Sequence, residues 1–209
     1  MSSNDVLNVN TSSYNHLHLA FATLNPDFSI NVTQIQDQFD AFVSMTGVQR
    51  VISFGGWEFS TSAATYELFH EAVRPANRAT FTNNVIDFLN DHKLDGLDFD
   101  WEYPGEPDIP GIPALSKEDV QNLADFMTAL KKNMTTHAAG KTLAVTAPAS
   151  WWYLKNIPID VLAQASDYVV YMTYDLHGQW DHGSAFSDLG CSKGNCLRSH
   201  VNLTETLNA

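Results

Sequence analysis

The chain has 209 residues, room for one large domain or two small ones, and its 11 Lys and Arg against 24 Asp and Glu leave a formal charge of −13. An acidic surface with a pI near 4.7 argues against nucleic acid and anionic membranes as partners, because both need a basic footprint; no apolar run approaches the ~18 residues of a membrane span. A hydrophobic share of 44%, with twelve Phe and five Trp, is enough for a sizeable core and excludes a disordered chain.

Five short apolar, β-branched or aromatic runs predict strands over 17–24, 48–54, 94–101, 143–147 and 168–174. Helical periodicity falls between them: Ile35, Phe39, Phe42 and Val43; then Phe81, Val85, Phe88 and Leu89; then Val120, Leu123, Ala124, Met127, Leu130 and Met134. Ser116 and Asp119 read as a capping box opening the third of these helices. A shorter apolar stretch, 159–165, joins the fourth and fifth strands. Alternating strands and helices imply βα units and a parallel sheet in a single α/β domain. Both an open doubly wound sheet and a closed β/α barrel fit. Gly55-Gly56 lacks the third glycine and the following helix of a dinucleotide fingerprint, which weighs against the former. Four prolines make 103–115 a loop directly after the third strand.

The amino end, Met1 to Asp5, has neither the basic nor the apolar region of a secretory signal. Cys191 and Cys196 suit a local disulfide in a secreted protein; two buried free thiols in a cytosolic one would read the same, and the glycine-rich surroundings favour the disulfide. The sequons at Asn10, Asn31, Asn133 and Asn202 are little more than chance supplies.

The sharpest feature is the run Leu94-Asp95-Gly96-Leu97-Asp98-Phe99-Asp100-Trp101-Glu102-Tyr103-Pro104. Strand side chains alternate, so Asp98, Asp100 and Glu102 share one face and Leu97, Phe99 and Trp101 the other. Three acids on one face of a buried strand are costly without a purpose. Their backbones stand roughly 6–7 Å apart, close enough for coupled titration, with the outermost, Glu102, held protonated as a general acid. A solvated patch does not fit the apolar residues between them, and a hard-cation site would draw more ligands from loops. Asp95 lies off this face and reads as structural.

The pattern Asp95-x-x-Asp98-x-Asp100-x-Glu102, extended through Trp101, Tyr103 and Pro104, resembles glycoside hydrolase family eighteen and its chitinase branch. Ser53-Phe54-Gly55-Gly56-Trp57 and Met172-Thr173-Tyr174-Asp175 resemble the family's third- and sixth-strand motifs. Residues 194–200 are similar to fungal members of the class V type, including those related to killer-toxin chitinase subunits. The resemblance implies an incomplete (β/α)8 barrel of about five of the eight units, strands two to six. Residues 1–209 would then be a partial catalytic barrel of a longer enzyme, without the first strand, the last two, and the tryptophan of the eighth.

The resemblance further implies an extracellular, endo-acting chitinase, monomeric, with no cofactor and no metal. Its partners would be chitin or chito-oligosaccharides, and its catalysis substrate-assisted and retaining. Glu102 would protonate the glycosidic oxygen; Asp100 would orient the substrate's acetamido group and share a proton or hydrogen bond with Asp98; Tyr174 would donate to the acetamido oxygen. Trp57, Tyr103, Met172, Asp175 and Trp180 would bind substrate, Met172 and Tyr174 pointing inward by strand alternation. Trp57 and Trp180 sit at loop positions that suit sugar platforms, Trp101 belongs to the helix layer, and one of Trp151 and Trp152 packs while the other faces the cleft. His177 and His182 flank Trp180 but have no third metal ligand. His16 and His18 read as satisfied barrel or rim residues. The other readings are a chitin-binding lectin, which the acid at position 102 disfavours, an endoglycosidase on N-glycans, and an inactive fragment.

Overall fold

The computed structural model describes residues 6–106, 108–114, 116–182 and 198–209; Cys191, Cys196 and their disulfide lie outside these. Six strands form one sheet in the order β2-β1-β3-β4-β5-β6, with β1 His16–Leu24, β2 Ile30–Asn31, β3 Gln49–Gly55, β4 Gly96–Asp100, β5 Thr142–Pro148 and β6 Tyr168–Met172. From β1 through β6 all neighbours are parallel. Each new long strand adds to the same side of the last. A doubly wound sheet reverses direction at a switch point; this sheet does not, so its topology is an arc of a β/α barrel.

The five predicted strands are all present to within two residues of their observed bounds, and one more appears. β2 pairs antiparallel with the end of β1, Thr23 opposite Asn31 and Leu24 opposite Ile30. A turn closed by Phe28 N–H donating to the Asn25 carbonyl (2.8 Å) makes this hairpin. Two residues of strand carry no readable period.

The helices are α1 Gln36–Val43, α2 Gly56–Thr61, α3 Glu67–Val73, α4 Arg78–Asp91, α5 Glu118–His137, α6 Trp151–Leu154, α7 Ile159–Ala165 and α8 Leu203–Asn208. The capping box is half formed. Ser116 Oγ accepts from Glu118 N–H at 3.2 Å, but the Asp119 side chain turns inward, fully buried, and pairs with His70 of α3.

The core lies between the outward face of the central strands and helices α3 to α5. Phe99 packs against Phe54 at 5.1 Å, Phe126 at 5.2 Å and Phe81 at 6.1 Å between ring centroids. Trp101 is 4% exposed and lies 5.7 Å from Phe69, in the helix layer as its alternation predicts. Because Phe99 is buried on all sides, Phe99→Ala should cost about 3–5 kcal/mol; a chemical-denaturation midpoint unchanged from wild type would contradict this packing.

Burial falls off toward both edges. All of β4 is buried, whereas in β6 the first three residues are half-buried and Tyr171 is exposed, and β1 alternates between half-buried and exposed up to Phe21. Among the described residues, β6 pairs only with β5 and β1 gains only two residues of β2 on its far side.

Candidate active site

β4 positions the acids. Its register sets Asp98 beside Ser53 of β3 and Asp100 beside Gly55. Asp98 and Asp100 are 3% and 5% exposed, on the face opposite Leu97, Phe99 and Trp101. Asp98 Oδ2 accepts from Ser53 Oγ at 2.7 Å and lies 3.1 Å from His18 Nδ1. Asp100 Oδ1 accepts from Thr146 Oγ1 of β5 at 2.7 Å. The Asp98–Asp100 hydrogen bond implied by the resemblance does not occur among the described residues, and Asp98 Oδ1 is buried without a partner.

The strand stops at Asp100, and Glu102 stands just beyond it. The backbone N–H of Glu102 donates to Ser60 Oγ of α2 at 3.1 Å. Its carboxyl receives hydrogen bonds from the Tyr103 hydroxyl and the Trp57 backbone, yet it is pushed up to about 7, first by burial and then by the charges of Asp100 and Asp175. Asp100 is pushed up to about 6 by burial and by Asp98. The alternation of the acids implies that like charge keeps Glu102 protonated; removal from water is the larger cause, and the neighbouring charge adds to it.

Glycines bring β3 against this strand. A Cβ on Gly55 would lie 2.3 Å from the Asp100 carbonyl oxygen, and its φ is +106°. A Cβ on Gly56, at φ +79°, would strike the Phe21 ring at 2.6 Å. A helix does begin on this pair, contrary to the sequence reading. Trp57 is therefore in the first turn of α2 and not in a loop; it is 48% exposed and meets Tyr103 edge-on at 6.4 Å. Tyr103 stacks in turn on Tyr153 of α6 at 4.3 Å.

Tyr174 lies past the end of its strand, so alternation does not set its direction. β6 ends at Met172, which is buried beside Pro148, and Thr173 N–H turns back onto the Tyr171 carbonyl. Asp175 follows in the left-handed region at φ +56°. The Tyr174 phenol is half exposed and is raised by burial, then by the charges of Asp100, Glu102, Asp175 and Asp98. Asp175 is largely exposed, with His200 Nδ1 3.9 Å away.

Trp180 lies on the 3-10 turn Gln179–Asp181 and is 63% exposed. His177 faces Asp181 through Nδ1 and Glu205 of α8 through Nε2, both at 2.9 Å, which ties this turn to α8. No group of His, Cys, Asp and Glu suited to a metal ion is found among the described residues. Neither Trp151 nor Trp152 enters the core. Trp152 Nε1 donates to Asp108 at 3.0 Å and carries Lys155 Nζ 3.6 Å above its ring, while Trp151 stays open. Asp95 holds the Arg50 backbone N–H and guanidinium at 2.9 and 2.8 Å, a structural clasp.

Ser53, Ser60, Thr146, Tyr153 and Tyr168 join the site through contacts that no motif in the sequence marks as functional. Ser53 and Thr146 had a signal: each is an inward polar residue on a strand next to the acidic one.

Comparison with known proteins gives these residues their family. The model for glycosyl hydrolases family 18 matches residues 2–207. The chain is 45% identical over 204 residues to secreted chitinase LysM12 of Penicillium expansum, covering 97% of this chain and 13% of that protein. It is 47% identical over 188 residues to the killer toxin subunits alpha/beta of Kluyveromyces lactis, 90% of this chain and 16% of that protein. The chain thus spans less than a fifth of the length of these relatives. Catalytic domain 2 of the group II chitinase of Ostrinia furnacalis superposes with a TM-score of 0.75 at 25% identity, over 86% of this chain and 48% of that one. The arc of sheet is therefore part of the barrel these chitinases share, and the chain belongs to glycosyl hydrolase family 18.

Proposed function

We propose that this chain carries the acid side of an endo-acting chitinase that cleaves β-1,4-linked N-acetylglucosamine polymers with retention of configuration. The observation that carries the reading is the stack of three carboxylates rising along β4 to Glu102, whose carboxyl is pushed up to about 7 at the strand's carboxyl end. In β/α barrels that end is where active sites are built.

A general acid must hold its proton at working pH. Glu102 would give that proton to the glycosidic oxygen as the bond to the anomeric carbon breaks. The substrate's own acetamido oxygen would attack the anomeric carbon from the opposite face, forming an oxazolinium ion. Asp100 would accept the acetamido N–H and stabilise the developing positive charge; the Tyr174 hydroxyl would donate to the acetamido oxygen and orient it. Glu102, now a carboxylate, would take a proton from the water that opens the ring. Trp57, Tyr103 and Trp180 would offer ring faces to sugar C–H surfaces, with Met172 and Asp175 shaping the floor. The names of the relatives, a secreted chitinase and a killer toxin, favour an extracellular setting.

A substrate panel on the full-length protein tests this reading. Release of chitobiose from chitin and chito-oligosaccharides, with no cleavage of N-glycans, is expected. Binding without cleavage would point to a lectin, and cleavage of N-glycans alone to an endoglycosidase.

A further inference from the structure

The lowest acid of the stack has a partner outside every motif quoted above. His18 of β1 reaches across the concave side of the sheet, with Nδ1 3.1 Å from Asp98 Oδ2 and 3.3 Å from Ser53 Oγ, and Nε2 2.8 Å from the Tyr168 hydroxyl of β6. Two strands far apart in the sheet are thereby joined through one imidazole. Asp98 is 4% exposed at its side chain and His18 25%, so the contact to the carboxylate is sheltered from water.

The proton positions follow from the partners. Ser53 Oγ donates its only hydrogen to Asp98, so it offers none to His18 Nδ1. A carboxylate accepts, and Nδ1 must then bear the hydrogen that points at Asp98. That leaves Nε2 of a neutral ring as an acceptor, and the Tyr168 hydroxyl as its donor. The phenol is fit for this: burial, then the charge of Asp98, pushes it up to about 12, so it keeps its hydrogen across the working range. The chain reads Tyr168 O–H to His18 Nε2, then His18 Nδ1–H to Asp98 Oδ2.

We infer that His18, locked in this tautomer by Tyr168, is a positioning residue for the hydrolytic site: it anchors Asp98 as the anion beneath Asp100. The inference rests on the hydrolase reading above. With Ser53 and His18 both donating to Oδ2, the carboxylate is fixed at that oxygen while Oδ1 has no partner. The charge so held is one of the two causes that raise Asp100, and Asp100 in turn raises Glu102. His18 thus acts on the acid through two intervening carboxylates and touches no substrate. The other ionisable groups about it are His16 of β1, whose ring lies 5.6 Å from that of Tyr168, and Asp167, which bears on Tyr168.

Three variants of the full-length protein and one spectrum test this. His18→Leu, which removes the donor, should lower kcat by roughly 10–100-fold, the worth of one hydrogen bond to a charged group. KM should stay near wild type. His18→Asn keeps an N–H near the Nδ1 position and should restore most of kcat. Tyr168→Phe removes one oxygen, with little risk to folding, and should give a smaller loss in kcat. The 15N spectrum of the His18 ring at mildly alkaline pH reads the tautomer without turnover: hydrogen on Nδ1 with bare Nε2 is expected, and a mixture in Tyr168→Phe. A hydrogen on Nε2 in the wild type would overturn the inference, as would a folded His18→Leu with wild-type kcat. An inactive wild type would instead refute the hydrolase reading, and the ring spectrum would still report the chain of hydrogen bonds.

Discussion

Glu102→Gln is expected to lower hydrolysis of chito-oligosaccharides by the full-length protein at least 10²–10⁴-fold, the range that general-acid assistance supplies, while leaving binding close to wild type. Gln keeps the shape and hydrogen-bonding reach of the side chain but has no proton to give. The wild-type rate should carry the same signature in its pH dependence. A carboxyl raised to about 7 is a competent acid below that value and loses the proton above it, so the alkaline limb should fall through about pH 7. Asp100→Asn removes a charge that raises Glu102, so that limb should move to lower pH. Turnover of Glu102→Gln within tenfold of wild type, with the pH profile intact, would remove Glu102 from the role.

The second large effect concerns closure. A barrel escapes the hazard of open strand edges by pairing its last strand with its first. Here β6 pairs only with β5 among the described residues, and β1 has just the two residues of β2 on its outer side. Phe21 and Tyr171, on those two edge strands, are each 38% exposed. His16 and His18 make part of β1 polar, but the backbone edges remain templates for pairing. Residues 1–209 expressed alone should therefore be poorly soluble, melt without cooperativity and release no chitobiose. The same segment within a version extended to eight strands should be soluble and active. A soluble, cooperatively melting and active short form would show that closure is dispensable.

What could be read in the sequence follows from how strongly each signal is imposed. The central strands are apolar because both faces are buried, and β3 to β5 stand where their runs predict. The acidic face of β4 was legible because a period of two leaves no other placement for Asp98 and Asp100. The failures share a cause in short or irregular backbone. α2 is six residues long and opens on two glycines in left-handed geometry, so the Trp57 segment looked like a loop. Tyr174 lies two residues past the end of β6, where alternation no longer applies, and Asp175 redirects the chain. Contacts between strands were beyond reach, because the pairing of Thr146 with Asp100 or of His18 with Tyr168 depends on register and curvature, which one strand's pattern does not contain.

The central claim is that this acidic stack works together with the substrate's own acetamido group. It is tested most directly by comparing kcat/KM of the full-length protein on a chito-oligosaccharide and on its deacetylated counterpart of the same length, for wild type, Asp100→Asn and Tyr174→Phe. The account predicts efficient cleavage of the acetylated substrate only, with both substitutions slowing it and having little further effect on the deacetylated one. Comparable hydrolysis of the two substrates by the wild type would contradict it.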